Sequence, residues 1–112
     1  MGEMRQEGKV YQNTTTGTTS NDWNEALKWY VAKYTKNVRF AIKNLDPNNA
    51  LEYNIYEVIV TIEREYGENR LSPGNFRTFS LVRPASAIVI KVKSAATDSH
   101  ARYQIDYLGV ED

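Results

Sequence analysis

The chain has 112 residues, 41% of them hydrophobic and 25% charged, which suits one globular domain with a modest core and excludes two ordinary domains. Fourteen basic residues balance fourteen acidic ones, so no net field draws in nucleic acid or an anionic membrane. The chain has no cysteine and a single histidine, His100, which removes disulfides, thiolate metal sites and the usual zinc sets.

Met1 to Gly8 is polar and aperiodic, and residues 1–8 are expected to be an N-terminal arm, flexible or ordered by a partner. Residues 9–112 are expected to form one domain. The first residues hold no apolar h-region, so no signal peptide is expected, and no window reaches the roughly 18 apolar residues of a membrane span. Lys9 to Thr16 fits a first strand, and the small polar tract Thr14 to Ser20 reads as a loop. Asp22 to Tyr34 supports two readings. Asp22 followed by Glu25 imitates a capping box, and Trp23, Leu27, Tyr30, Val31 and Tyr34 share one helical face, which predicts a short helix near residues 22–30. Leu27, Trp29 and Val31 also fall at period two, with Lys28 and Ala32 as polar or small neighbours, Trp29-Tyr30-Val31 is rich in β-formers, and the strand is the preferred reading.

Val38, Phe40 and Ile42 alternate with Arg39, Ala41 and Lys43 in a clear strand pattern. Asp46-Pro47-Asn48-Asn49 supplies turn chemistry. The long run Leu51 to Arg64 is expected to form a hairpin with the preceding strand. Its alternation slips near Tyr56-Glu57, which predicts a β-bulge there, or else cover on both faces. Gly67-Glu68-Asn69 and Ser72-Pro73-Gly74-Asn75 are turn signals, and a strand from Phe76 to Val82 follows them. Ile88, Ile90 and Val92, then Tyr103, Ile105 and Tyr107, predict a closing hairpin. The sum is an all-β chain: an antiparallel β-sandwich, Ig-like or jelly-roll-like, of about seven or eight strands. Ile42, Ile90 and Ile105 are expected in its core.

Few residues suggest chemistry. His100 follows Asp98 and Ser99, but a triad converges through the fold rather than along the chain, and a solvated turn is the plainer role. Glu57, Glu63, Glu65 and Asp106 are candidate paired carboxylates for glycoside chemistry, and a solvated strand face explains them more simply. Asp46-Pro47-Asn48-Asn49 lacks the glycine and final glutamate of a calcium loop, and the glycines form no phosphate-binding loop. No catalytic residue, metal or cofactor is expected, and the chain reads as non-enzymatic.

The aromatic content carries more. Eight tyrosines and two tryptophans exceed what a small core needs, and both residue types favour interfaces because an apolar ring ends in a polar tip. Trp23, Trp29, Tyr30, Tyr34, Tyr53, Tyr56 and Tyr66 are the candidate partner-binding residues.

The order of features is itself informative. TTTGTTSNDW opens the chain, NVRFAIKNLDPNNALEYNIY follows, and AIVIKVKS with ARYQIDYLGV closes it. The rhythm of Ile42, Lys43, Asn44, Asp46, Leu51, Tyr53 and Ile55 resembles the small β-sandwich virion proteins of tailed phages and archaeal viruses, such as capsid decoration and tail accessory proteins. That resemblance implies a structural subunit, present in many copies, that binds itself or a major capsid or tail protein. It implies a homo-oligomer with no nucleic-acid or membrane partner. It places the protein in a virion, or in the cytoplasm if it is not viral. The alternative is a carbohydrate-binding module that stacks sugars on exposed Trp and Tyr rings.

Overall fold

The computed structural model describes residues 10–30, 35–59, 62–82 and 87–111. Among these the chain forms β1 (Val10–Thr18), β2 (Asn24–Tyr30), β3 (Thr35–Asn44), β4 (Leu51–Ile59), β5 (Ile62–Leu71), β6 (Phe76–Val82), β7 (Ala87–Ser94) and β8 (Arg102–Glu111). The strands make two antiparallel four-stranded sheets, ordered β1-β8-β3-β6 and β2-β7-β4-β5. This is a β-sandwich with jelly-roll strand order. The N-terminal arm of residues 1–8 and Tyr34 lie outside the described residues.

Alternation builds the core. Val38, Phe40 and Ile42 of β3 and Ile105 of β8 face Leu51, Tyr53 and Ile55 of β4 and Ile88, Ile90 and Val92 of β7 across the sandwich. Ile42, Ile90 and Ile105 are each fully buried, as their alternation predicts. Rings join the two layers. Phe79 stacks on Phe40 at 5.3 Å and meets the edge of Tyr53 at 5.8 Å, while Trp29 lies 4.9 Å from Tyr107.

One of two readings holds and three expectations change. Residues 24–30 are strand, the preferred reading, and not the short helix, because pairing with β7 turns Leu27 and Trp29 to the core and Lys28 and Tyr30 outward. The threonines Thr14 to Thr18 continue β1 rather than forming a loop, each with a partner on β8; β-branched side chains fit a pleated surface well. The two expected hairpins do not form. β3 and β4 belong to different sheets, as do β7 and β8, so the turns between them cross the core. Alternation marks a core face without saying which sheet owns it. Finally, β4 keeps an unbroken register with β7 from Leu51↔Ser94 to Val58↔Ala87. The irregularity lies in its pairing with β5, where the extra residue falls at Tyr66-Gly67 opposite Ile55. Gly67 has φ 98°, a conformation that glycine adopts without steric cost.

One end of the sandwich is tied by side chains. Asn44, 2% exposed, donates from Nδ2 to the carbonyls of Asn49 and Leu71, and its Oδ1 accepts from the Asp46 amide. The expected turn follows, with the Asp46 carboxylate accepting from the Asn48 and Asn49 amides. Gly74, at φ 74°, sits in the expected Ser72–Asn75 turn, closed by Asn75 N–H donating to Ser72.

Candidate interaction face

The outer face of the β2-β7-β4-β5 sheet follows from the register. On β7, Lys91 and Lys93 alternate with buried Ile90 and Val92. Glu52, Asn54, Tyr56 and Val58 of β4 stand opposite Lys93, Lys91, Val89 and Ala87. Lys28 and Tyr30 of β2 flank Val89 and Ala87 on the other side, and Arg70 and Glu65 of β5 pair with Glu52 and Tyr56.

Lysine and aromatic side chains pair across this face. The Lys91 ammonium lies 4.9 Å from the Tyr56 ring centre, Lys28 lies 5.4 Å from Tyr30, and Lys93 lies 5.4 Å from Trp23. At exposed sites each such contact is weak by itself. The Tyr30 hydroxyl, hydrogen-bonded to Lys28, raises the pKa of that ammonium. Lys93 also reaches Glu52 at 3.6 Å. Lysines therefore gather on the β2-β7 half of the face, and Glu52 and Glu65 on the β4-β5 half.

Beneath them the surface is dry. Val89 is 4% exposed and Asn54 is 2% exposed, although both point away from the core. Asn54 Nδ2 donates to Glu65 at 2.7 Å and to the Tyr56 hydroxyl at 3.1 Å. Its Oδ1 has no hydrogen-bond partner among the described residues. Long stems and rings lie flat over the sheet and exclude water, a common use of Lys and Tyr.

Six of the seven candidate rings lie among the described residues, and they divide between core and surface. Trp23, Tyr30 and Tyr56 share this face, with Tyr30 71% exposed and the other two half-buried. Trp29 packs against the core and Tyr107. Tyr53 is 1% exposed and is a core residue, not a surface ring; burial pushes its hydroxyl pKa up. Tyr66 stands exposed at the β5 bulge and donates its hydroxyl to Glu57. Lys28, Lys91 and Lys93 are not among the candidates from sequence, although the period-two spacing in Lys91-Val92-Lys93 marks an exposed strand face, and neither are exposed Phe76 and Leu45.

Several of the groups considered for catalysis have structural partners. His100 Nδ1 lies 2.9 Å from Ser94 Oγ, which in turn meets Thr19 Oγ1 at 2.7 Å, and the Ala101 amide donates to that same threonine. Asp98 turns instead to Asn21. Glu57 is inside the sandwich rim, whereas Asp106 lies on the opposite sheet's outer face among Lys43, Gln104 and Thr14. Beside it a shallow groove of about 450 Å³ runs over Ala41, Thr78 and Ser80. No cluster of three metal-ligating side chains occurs among the described residues.

The fold is shared with proteins of unlike kinds. No protein-family model matches the chain, and no curated protein matches its sequence. Among solved structures it is similar to a Bacillus endospore appendage protein, described as forming disulfide-linked pili, at 9% identity and TM-score 0.59, over 100% of this chain and 99% of that one. It is similar to the Yersinia pseudotuberculosis-derived mitogen at 14% identity and TM-score 0.58, over 94% of this chain and 88% of that one. The infectious bursal disease virus VP2 subviral particle matches at 13% identity and TM-score 0.56, where 92% of this chain covers 33% of that one.

Proposed function

We propose that the chain is a non-enzymatic structural subunit that binds other protein subunits through the outer face of the β2-β7-β4-β5 sheet. The observation that carries this reading is the convergence of Trp23, Tyr30 and Tyr56, each beside a lysine, over a dry patch of Val89 and Asn54. The core has its own rings in Phe40, Tyr53 and Phe79, and Trp23, Tyr30 and Tyr56 lie outside it. Aromatic rings and mixed charge are the composition of recognition surfaces.

The finer reading is a virion subunit, decorating a capsid or serving as a tail accessory, or a cytoplasmic assembly if the source is not viral. The sequence rhythm from Ile42 to Ile55 supports it, as does the fold likeness to a viral particle chain. The fold likeness to a pilus protein supports assembly equally well. Having no cysteine, copies of this chain would hold together by non-covalent contacts.

Light scattering on a size-exclusion column across a concentration series, with negative-stain imaging, tests the reading. Oligomers, rings or filaments are expected, and Trp23→Ala/Tyr30→Ala should reduce them without lowering the melting temperature. A strict monomer that also ignores capsid and tail proteins would sink it.

The carbohydrate reading draws on Tyr30, whose ring is 71% exposed. Sugar stacking wants a bare ring face, and the neighbouring lysines compete for those of Trp23, Tyr30 and Tyr56. A glycan array settles the choice: hits that vanish in Tyr30→Ala would favour the sugar.

A further inference from the structure

The two sheets treat their edges differently. In the β2-β7-β4-β5 sheet both edge strands are blunted. β2 carries an extra residue at Ala26, where its register against β7 shifts. β5 carries the Tyr66-Gly67 bulge. Charge adds to this: β2 contains Glu25 and Lys28, and β5 contains Glu63, Arg64, Glu65, Glu68 and Arg70. Bulges and charged residues are the devices by which edge strands avoid pairing with other chains.

The β1-β8-β3-β6 sheet lacks both devices. β1 pairs with β8 without interruption from Val10↔Val110 to Thr18↔Arg102, and β6 pairs with β3 without interruption from Val82↔Asn37 to Phe76↔Lys43. The nine residues of β1 include no charged side chain and no proline; the seven of β6 include only Arg77. Among the described residues β1 has β8 alone beside it, and β6 has β3 alone. Each therefore presents a row of backbone donors and acceptors on its open side.

Strand direction makes these edges compatible. Three successive antiparallel pairings, β1 with β8, β8 with β3 and β3 with β6, leave β1 and β6 running in opposite directions. Two copies set side by side in the same orientation bring β6 of one against β1 of the next as an antiparallel pair.

We propose that the partner on these edges is a second copy of this chain, joined β6 to β1 so that the sheet continues from one subunit to the next. The inference rests on the assembly reading above and adds to the sheet face a second contact, made between copies of this chain. Exposed Thr78 and Ser80 on β6 would meet the row of Gln12, Thr14 and Thr16 on β1, a Thr/Ser cross-strand pairing. No like charges oppose, because the one cation, Arg77, faces a strand without charge. A single ladder seven residues long is small beside the roughly 1,600 Å² of a standard stable interface, so the contact is weak and assembly rises with concentration. The two edges differ, so the contact is head-to-tail and repeats into a ring or an open filament.

Two blocked variants test this. Gln12→Lys/Thr16→Lys puts charge on the β1 edge, and Thr78→Lys/Ser80→Lys puts it on the β6 edge. All four positions are exposed. Circular dichroism checks the fold, and the single variants Thr16→Lys and Ser80→Lys carry the same test if a double variant unfolds. The unaltered chain should form oligomers that grow with concentration. Each blocked variant alone should form smaller oligomers than the unaltered chain, and a one-to-one mixture should regain part of the lost size, since one free β6 meets one free β1. Oligomers undiminished in either variant, or a mixture that regains nothing, would overturn the edge contact while leaving assembly standing. An unaltered chain that is monomeric throughout would overturn the edge contact, and one that also ignores capsid and tail proteins would overturn both.

Discussion

Lys91 holds its ammonium 4.9 Å from the centre of the Tyr56 ring and pairs across the sheet with a buried asparagine, Asn54. Lysine, ring and asparagine act as one unit, since Asn54 also donates to the Tyr56 hydroxyl. If the unit serves a partner, Tyr56→Ala should weaken assembly far more than folding. Sedimentation velocity and urea denaturation on the same sample measure the two losses. Equal losses would make Tyr56 a folding residue.

Ile42, Ile90 and Ile105 are fully buried from both sheets. Replacing any one with alanine should lower the unfolding free energy by about 2–5 kcal/mol, the transfer loss plus the cavity left behind. Denaturant midpoints at unchanged slope would report it. Neutral results at all three would invert the assignment of sheet faces.

Gly17 pairs with Tyr103, and a Cβ added at Gly17 would run into the Tyr103 ring. Tyr103 is buried, so its ring has little room to yield. Gly17→Ala should destabilise by about 1–3 kcal/mol, the usual range for overpacking. In a Tyr103→Leu background the same change should cost much less. A double-mutant cycle reads the coupling, and additive effects would contradict it.

Asp106 is held below the usual carboxylate range chiefly by the Lys43 ammonium at 2.8 Å, then by Gln104 and Thr14. A depressed folded pKa stabilises at pH values above the unfolded value, near 4, and that stabilisation is lost as pH falls through the folded value. Asp106→Asn should therefore melt below the unaltered protein at neutral pH, with the gap closing in acid. A gap independent of pH would assign it to packing instead of charge.

Asn44 holds two backbone carbonyls and one amide from within the sandwich. Asn44→Ala leaves those groups buried without their partner, and should cost about 1–3 kcal/mol. Amide exchange at Asp46 should speed up as its acceptor is lost. Unchanged protection there would mean that water replaces the side chain.

The residues alone specified strands, turns and a buried set. Val38, Phe40 and Ile42 alternate at the period of a half-buried strand, and Asp46-Pro47 and Ser72-Pro73-Gly74 mark turns, because side-chain direction and turn geometry are local. Strand partners are not local. The expected hairpins of β3 with β4 and of β7 with β8 became crossings between sheets, since a six-residue turn such as Leu45–Ala50 can close a hairpin or step across the core. The same holds for the rings. Tyr53 and Tyr56 sit three residues apart on one strand, yet one fills the core and the other lies under a lysine. Odd separation along a strand puts side chains on opposite faces. Which of those faces met the second sheet was settled only when β4 paired with β7 in one register, and that choice brought Trp23, Tyr30 and Tyr56 to a common surface.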